Sequence, residues 1–278
     1  MKYFSLAANI KDDEYYIEEW LCFYDLIGVE QFYIVLHNCS DTTEAKIKRL
    51  PFYAEKVKLY ACNTPNDGKN YQLGSYKELI KLARGNTEWL AMLDGDEYLF
   101  GVTEDDIKEI VSLYDEFSGI CVNWKLFNSS GHLVRPARPT IKHYTSCLRY
   151  VGHSLHPFTR TVKSVIKPHD IQGIYCSHMF DLRGTMVNDA FKILDVADGR
   201  NDYWSSRFEN SYCNLQINHY YSRSLQDWQA RRSRGTNTAV TAASCTDNEF
   251  YRLQHAGQLD DLTILRFVPE LETRLNEL

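Results

Sequence analysis

Short apolar segments alternate with segments of helical character through residues 3–94, and this alternation limits the folds open to the chain. The apolar segments read YFSLAANI (3–10), QFYIVLHN (31–38), KVKLYAC (56–62) and WLAMLD (89–94). Helical spacing or helix-starting residues follow the first three of them, in 13–28, 40–50 and 71–85. Strands that alternate with helices predict an α/β fold with a mostly parallel central sheet.

The pattern changes after residue 118. GICVNWKLFNSSGH (119–132) and RTVKSVIKP (160–168) resemble strands without long helices between them. Helical spacing returns in SLQDWQARRSRG (224–235) and LTILRFVPELETRLNEL (262–278). No linker or internal repeat interrupts the chain, so we predict a single domain, 1–278, with an irregular part over 119–225 and helices in 226–278.

Charge and composition exclude several classes of protein. The net charge of -6 gives no basic field that would draw the chain to nucleic acid. No segment approaches the roughly 18 apolar residues of a membrane span. The N-terminus has no signal-peptide pattern, and the eight cysteines are scattered without a CxxC pair. These features predict a cytoplasmic protein with reduced thiols and at most peripheral membrane association.

Three carboxylates stand together in WLAMLDGDEYLF (89–100), at Asp94, Asp96 and Glu97. They follow an apolar strand, at the edge of a parallel sheet where ligands bind. Because clustered like charges repel, such a group needs a positive charge nearby. A D-x-D pair can hold a hard divalent ion that also binds phosphates. A solvated turn is the structural alternative, and a phosphatase-type motif is disfavoured because Tyr98 replaces its Thr or Val.

A second polar stretch, INHYYSRSLQDWQARRSRG (217–235), carries one histidine and several arginines. The imidazole of His219 can complete a carboxylate metal site, and arginines clamp phosphate oxygens. A hydrogen-bonded core histidine and a solvated helix face are the structural alternatives. The combination with D-x-D is more specific than either stretch alone.

Together these stretches resemble the family-92 glycosyltransferases and their bacterial family-2-like relatives, which have the GT-A fold. IKDDEYYIEEW resembles the family's K-N-E-x-x-Y-L-x-E-W, and WLAMLDGDEYLF resembles W-x-x-x-x-D-x-D-E-F-L-F. LIGVEQFYIVLHNCSD, NSSGH, VKSVIKP and NHYYSRSLQDWQARRSRG resemble further blocks in the same order. Three positions depart from the family pattern: Asp12 replaces Asn, His37 replaces an Asp that often contacts the base, and Arg223 replaces Lys.

The resemblance implies a Rossmann-like nucleotide-binding half (1–118), an acceptor half (119–225) and C-terminal helices (226–278). It implies a metal-dependent enzyme that moves a sugar, with inversion, from a nucleoside diphosphate sugar to a saccharide or glycolipid hydroxyl. UDP is the favoured nucleotide, with GDP second, and Mn²⁺ or Mg²⁺ is the cofactor. The absence of a membrane anchor in the sequence suggests bacterial surface polysaccharide or lipopolysaccharide synthesis, in the cytoplasm or at the inner face of the membrane. A catalytically inactive nucleotide-sugar-binding module and a scaffold of glycan assembly are the alternatives.

The resemblance also implies roles for single residues. Asp96 would ligate the ion, Asp94 would share it or bind the ribose, and His219 would be the third ligand, with His178 as its rival. Glu97 would orient the loop or the donor sugar, and Arg223 and Arg234 would bind the diphosphate. The nucleotide pocket is predicted from Asn9, Lys11, His37, Asp41, Gln72 and Tyr76.

The general base for an inverting transfer has three candidates. His132 lies in NSSGH, the block that occupies the acceptor region, and histidine is a side chain able to accept a proton near pH 7. Asp181 and Asp189 are the carboxylate candidates further along the chain. Each of the three has a structural role as its alternative. Trp124 and Phe127 are expected either to stack on acceptor sugars or to pack in the core.

Overall fold

The structure, a computed structural model, describes residues 1–64, 71–149, 160–194, 210–234, 246–256 and 258–278, with the backbone alone at 234 and 258. The first part contains β1 (Lys2–Ile10), α1 (Ile17–Leu26), β2 (Gln31–His37), α2 (Thr43–Lys48), α3 (Tyr53–Lys56), β3 (Val57–Cys62), α4 (Gln72–Ala83), β4 (Thr87–Met92), β5 (Glu97–Gly101) and α5 (Ile107–Ser112). The second contains β6 (Gly119–Leu126), β7 (Ser146–Leu148), β8 (Val162–Ile166), β9 (Ile171–Ile174), β10 (Phe180–Leu182), β11 (Met186–Asn188), β12 (Ile193–Leu194), β13 (Leu215–His219), α6 (Leu225–Arg234), α7 (Asp247–His255), β14 (Gln258–Asp260) and α8 (Val268–Asn276).

The central sheet has the strand order β12-β11-β6-β8-β4-β1-β2-β3. The strands from β4 to β3 run parallel to one another. Two strands of this order interrupt the pattern: β8 is antiparallel to both β4 and β6, and the edge strand β12 is antiparallel to β11. The prediction of an α/β fold with a mostly parallel sheet and C-terminal helices is confirmed.

The two faces of this sheet are both covered, which explains the nearly continuous apolar runs of its strands. In β1, Phe4, Leu6 and Ala8 pack into the large core that includes α1 and α8. The intervening Ala7 packs on the opposite face, with Tyr76 of α4. Alternate side chains of one strand therefore meet different helices, as the pleat requires.

The strand order reverses beside β1. The chain moves outward from β1 to β2 and β3 and then returns as β4 on the other side of β1. In open α/β sheets, the crevice beyond the carboxyl ends of the strands at such a reversal is where ligands bind. Residues 11–13 follow β1 and residues 93–96 follow β4, so both segments lie at this crevice.

Two further properties concern the helices and the cysteines of the described residues. Among the helices that the structure describes, none combines the length and the apolar character needed to cross a membrane. The cysteines in the described ranges form no disulfide.

Candidate active site

A cleft of about 350 Å³ opens at the reversal point, a volume within the range of small-molecule sites. Its walls come from residues 12–16 after β1, 40–41 after β2 and Asp96 after β4. The remaining wall comes from Arg135, residues 220–223 after β13, and residues 227 and 230–231 of α6. The two polar stretches that the sequence singled out, far apart along the chain, thus line one cleft.

The acidic loop is the tight connection between β4 and β5 that carries Asp94, Asp96 and Glu97. The Glu97 carboxylate accepts a hydrogen bond from the backbone N–H of Asp94 at 2.9 Å and so holds the loop closed. At Gly95, a Cβ atom would lie 2.8 Å from an Asp13 side-chain oxygen and 3.1 Å from Ile10 Cδ1. A side chain at position 95 would press on Asp13 and Ile10, because the loop after β1 packs directly against the acidic loop.

Lys163 supplies the positive charge that the acidic loop needs. It comes from β8, and its Nζ lies 2.7 Å from Asp94 Oδ2 and 3.5 Å from Glu97 Oε2. The side chains of Lys163 and Glu97 have no exposed surface. Burial raises the pKa of Glu97 well above its usual value, and Lys163 opposes that rise. Sequence reasoning missed this lysine, although a charged residue inside the apolar VKSVI was a signal.

Asp96 points to the other side of the loop and faces a histidine from β13 and an arginine from α6. Its Oδ2 lies 3.5 Å from His219 Nε2 and 3.5 Å from Arg231 Nη1. Burial raises the pKa of Asp96, but His219, with Arg231 and Arg223, outweighs it and holds the pKa far below its usual range. Asp96 is thus an ionised carboxylate at the cleft.

Arg223 lines the cleft but is held by protein groups on three sides. Its Nη2 donates to the Gly95 carbonyl at 3.0 Å, its Nη1 lies 3.4 Å from Asp13 Oδ1, and its guanidinium stacks 3.5 Å from the Tyr16 ring centroid. Its backbone φ of 50° is a conformation that non-glycine residues rarely adopt. Strain of this kind persists where the surrounding contacts over-determine it. The side chain of Arg234, the other predicted diphosphate ligand, lies outside the described residues.

Asp227 of α6 joins three parts of the cleft wall. Its carboxylate accepts hydrogen bonds from Tyr16 Oη at 2.6 Å, Ser224 Oγ at 2.5 Å and Arg135 Nε at 2.6 Å. Burial raises the pKa of Asp227, but the hydrogen bonds from Ser224 and Tyr16 and the charges of Arg223 and Arg135 outweigh it, and the pKa is lowered. This carboxylate therefore fixes the start of α1 and the start of α6 against each other.

On the α4 side of the loop, Asp94 meets two of the predicted nucleotide residues. Gln72 Nε2 lies 3.3 Å and Tyr76 Oη 3.4 Å from Asp94 Oδ1. Asn9, at the end of β1, is buried, and neither polar atom of its amide has a hydrogen-bond partner in the described structure. His37, at the end of β2, is also buried, with Nε2 2.5 Å from Thr64 Oγ1.

The other two predicted nucleotide residues organise loops. Lys11 Nζ donates to the Asn38 carbonyl at 3.3 Å. Asp41 lines the cleft and accepts hydrogen bonds from the backbone N–H groups of Glu14 and Thr43, both at 3.0 Å. Asp41 therefore links the loop after β1 to the loop after β2.

The two histidines proposed as rival ligands both contact the ring of Trp124. The Trp124 ring centroid is 4.1 Å from that of His219 and 5.3 Å from that of His178. His178 Nδ1 donates to the Val162 carbonyl at 2.9 Å, and burial together with Lys163 lowers the pKa of His178 to about 3. His178 is therefore a neutral imidazole. Trp124 and Phe127 are buried in the core.

None of the three base candidates lies among the described residues that line the cleft. His132 is half-buried, with its ring 5.8 Å from that of Tyr144. Asp181 belongs to the β9–β10 hairpin. Asp189 is fully buried and accepts a hydrogen bond from the Cys213 N–H at 2.6 Å.

The described residues allow a test of whether the site suits a divalent ion. Ligand bonds of about 2.1 Å place neighbouring ligand atoms roughly 3–3.5 Å apart. The 3.5 Å between Asp96 Oδ2 and His219 Nε2 fits one shared ion, whereas Asp94 is engaged by Lys163. Within the described ranges, the group of three candidate ligands whose atoms all lie within 4.8 Å is instead Asp12, Cys39 and Asp41.

Comparison with known proteins gives only distant similarities. No family model matches the chain, and no curated protein matches it. A mannosyltransferase from Pyrobaculum calidifontis, solved with GDP-Man and Mn²⁺, is similar over 50% of this chain and 37% of its own length, at 15% identity and a TM-score of 0.33. Glucosyl-3-phosphoglycerate synthase from Mycobacterium tuberculosis, solved with Mg²⁺ and UDP, is similar over 62% of this chain and 59% of its own length, at 14% identity and a TM-score of 0.33. HddC from Yersinia pseudotuberculosis is similar over 64% of this chain and 82% of its own length, at 10% identity and a TM-score of 0.37. Scores this low assign neither a fold family nor an activity to this chain.

Proposed function

We propose that the chain is a nucleotide-sugar-dependent glycosyltransferase of the GT-A type. One observation carries the proposal: at the reversal point of a parallel sheet, Asp96 lines a cleft together with Arg223 and Arg231, and its carboxylate lies 3.5 Å from the imidazole of His219. Carboxylate, imidazole and guanidinium groups that converge at such a crevice suit a metal ion and a diphosphate. The order of sequence blocks that resemble family-92 glycosyltransferases supports the same conclusion.

The metal would be held by Asp96 and His219. When bound, Mn²⁺ or Mg²⁺ would neutralise charge on the nucleoside diphosphate leaving group. Arg231 is a quarter exposed and donates from Nη1 to the Tyr221 carbonyl at 2.9 Å, so its guanidinium is oriented beside Asp96 and still open to a ligand. Arg223, fixed by Gly95 and Tyr16, would contribute a stationary charge to the same cleft.

The nucleotide would lie along the carboxyl ends of the parallel strands. Asp94, placed by Gln72 and Tyr76, would bind the ribose, and Asn9 and His37 would be near the base. UDP is our first choice, and GDP is the second because His37 replaces the usual aspartate. The acceptor would be a saccharide or glycolipid hydroxyl of a bacterial surface glycan, with the enzyme in the cytoplasm or at the inner membrane face.

An inverting transfer needs a base that removes the acceptor proton. Asp189 is fully buried and accepts a backbone hydrogen bond, and Asp181 lies in a separate hairpin. His132 is half-buried and stands three positions before Arg135, which lines the cleft. We therefore place His132 ahead of the two aspartates.

Ligand-induced thermal stabilisation tests the proposal. Purified protein would be melted with UDP or GDP, each with Mn²⁺ and with excess chelator. We expect UDP to raise the melting temperature in Mn²⁺ only, and we expect Asp96→Asn to abolish the rise. Asp181→Asn, a matched change away from the cleft, should preserve it. Stabilisation by GDP but not UDP would show that the bound nucleotide carries guanine instead of uracil. No stabilisation by either nucleotide would contradict the proposal.

A further inference from the structure

The acidic loop contains two kinds of carboxylate, distinguished by the cation each one faces. We propose that Lys163 is a positioning residue: as the buried counterion of Asp94, and in contact with Glu97, it keeps Asp94 for orienting the loop and the donor and leaves the metal ion to Asp96 and His219. The inference rests on the proposed function and deepens it, because it separates the roles of the two D-x-D aspartates.

The position of Lys163 is set by the sheet. β8 lies directly beside β4, so a side chain near the start of β8 reaches the loop at the carboxyl end of the antiparallel β4. Its ammonium has no exposed surface and lies 2.7 Å from Asp94 and 3.5 Å from Glu97. A buried ammonium without such partners would be very costly, so the lysine and the two carboxylates hold one another in place.

Asp94 has little capacity left for a metal. One of its oxygens accepts from Lys163, and the other lies 3.3–3.4 Å from Gln72 and Tyr76. A divalent ion on Asp94 would also stand close to the Lys163 ammonium, which repels it. About a third of the Asp94 side chain is exposed, so a neutral donor such as a sugar hydroxyl can still approach it.

The surroundings of Asp96 are different. Its carboxylate faces His219 and Arg231 at 3.5 Å each, longer than a good hydrogen bond. An imidazole and a carboxylate at this separation can share one ion. The lysine thus takes the place that a second cation would otherwise fill in the acidic loop, which leaves room for one ion there, at Asp96.

Mn²⁺ titration of the full-length protein, followed by the EPR signal of free Mn²⁺, tests the inference without nucleotide. We expect one site in the wild type. Asp96→Asn should weaken Mn²⁺ binding by roughly 10–100-fold, while Asp94→Asn should stay within about threefold of the wild type. Equal losses in the two aspartate variants would overturn the inference.

Lys163→Met should admit a second Mn²⁺ at Asp94 and Glu97. If this variant melts too early to be titrated, the double variant Lys163→Met/Asp94→Asn should melt at a higher temperature than Lys163→Met alone. Lys167→Met is the matched control: Lys167 follows β8, pairs with Glu88 at 3.3 Å, and lies at the opposite edge of the sheet. Purely additive melting losses for Lys163→Met and Asp94→Asn would also overturn the inference. If the Mn²⁺ pattern holds but no nucleotide binds, the proposed function fails and the role of Lys163 stands.

Discussion

Replacing Asp227 by asparagine tests how the cleft wall is held together. The carboxylate receives hydrogen bonds from Tyr16, Ser224 and Arg135, which belong to separate parts of the chain. Asparagine keeps the shape of the side chain and one acceptor oxygen, so the two hydroxyls retain a partner. Arg135 loses its anion, although only a quarter of its side chain is exposed to water.

The expected loss follows from these contacts. Hydrogen bonds to a charged group contribute about 1.5–3 kcal/mol each, and the variant keeps part of two of them. We therefore expect Asp227→Asn to lower the free energy of unfolding by about 2–4 kcal/mol at pH 7.

The loss should depend on pH. Because the pKa of Asp227 is lowered in the folded protein, its ionised form stabilises the fold above the unfolded pKa of about 3.9. That contribution disappears as the pH falls through the folded pKa. The difference between wild type and variant should therefore be the same at pH 7 and pH 5 and should narrow below about pH 4.

Urea unfolding at pH 7, 5 and 3.5 measures this difference directly. Asp181→Asn is the matched control, because the structure gives the Asp181 carboxylate no hydrogen bond or ion pair among the described residues. Equal unfolding free energies for wild type and Asp227→Asn at pH 7 would refute the reasoning, as would a difference that does not change with pH.

Two further substitutions test the loop and the choice of histidine. Gly95→Ala should lower the free energy of unfolding in urea by about 1–3 kcal/mol, because the new Cβ would lie 2.8 Å from Asp13. Gly74→Ala, in α4 with open space around it, is the control and should raise the free energy of unfolding by about 0.5–1 kcal/mol. An unchanged stability of Gly95→Ala would show that the loops do not pack as described. His219→Ala should weaken Mn²⁺ binding by roughly 10–100-fold and His178→Ala should not, and the reverse order in an EPR titration would make His178 the ligand.

Much of the first part of the fold could be predicted from local pattern. The apolar runs at 31–38 and 56–62 correspond to β2 and β3, Gln31–His37 and Val57–Cys62. Hydrophobic spacing and flanking glycines are properties of residues close together in the sequence, so they can be recognised without knowledge of the tertiary structure. The position of the acidic loop at the carboxyl edge followed from the same reasoning.

The direction of β8 and the partners of the site residues could not be predicted in this way. Lys163 and Asp94 are 69 positions apart, and Arg223 and Asp13 are 210 apart. Such pairs depend on which strands become neighbours, and an apolar pentapeptide such as VKSVI carries no information on that choice.

The burial of charged side chains also could not be predicted from the sequence. Glu18 and Glu19 occupy a helix where acidic residues suggest a solvated face, yet both are fully buried. The Glu19 carboxylate accepts hydrogen bonds from Thr140 N and Ile141 N at 2.8 and 3.1 Å, and Glu18 pairs with Arg138 at 2.7 Å. The segment that covers α1 comes from the irregular second half, whose path has no periodic signal.

Metal-dependent release of UDP from UDP-sugars tests the central claim most directly. Purified protein would be incubated with a panel of UDP-sugars and saccharide acceptors, in Mn²⁺ and in excess chelator, and free UDP would be quantified for wild type and Asp96→Asn. The account predicts UDP release in Mn²⁺, none in chelator, restoration when Mn²⁺ is added back, and loss of most of the turnover in Asp96→Asn. Full turnover in excess chelator, or undiminished turnover by Asp96→Asn, would contradict it.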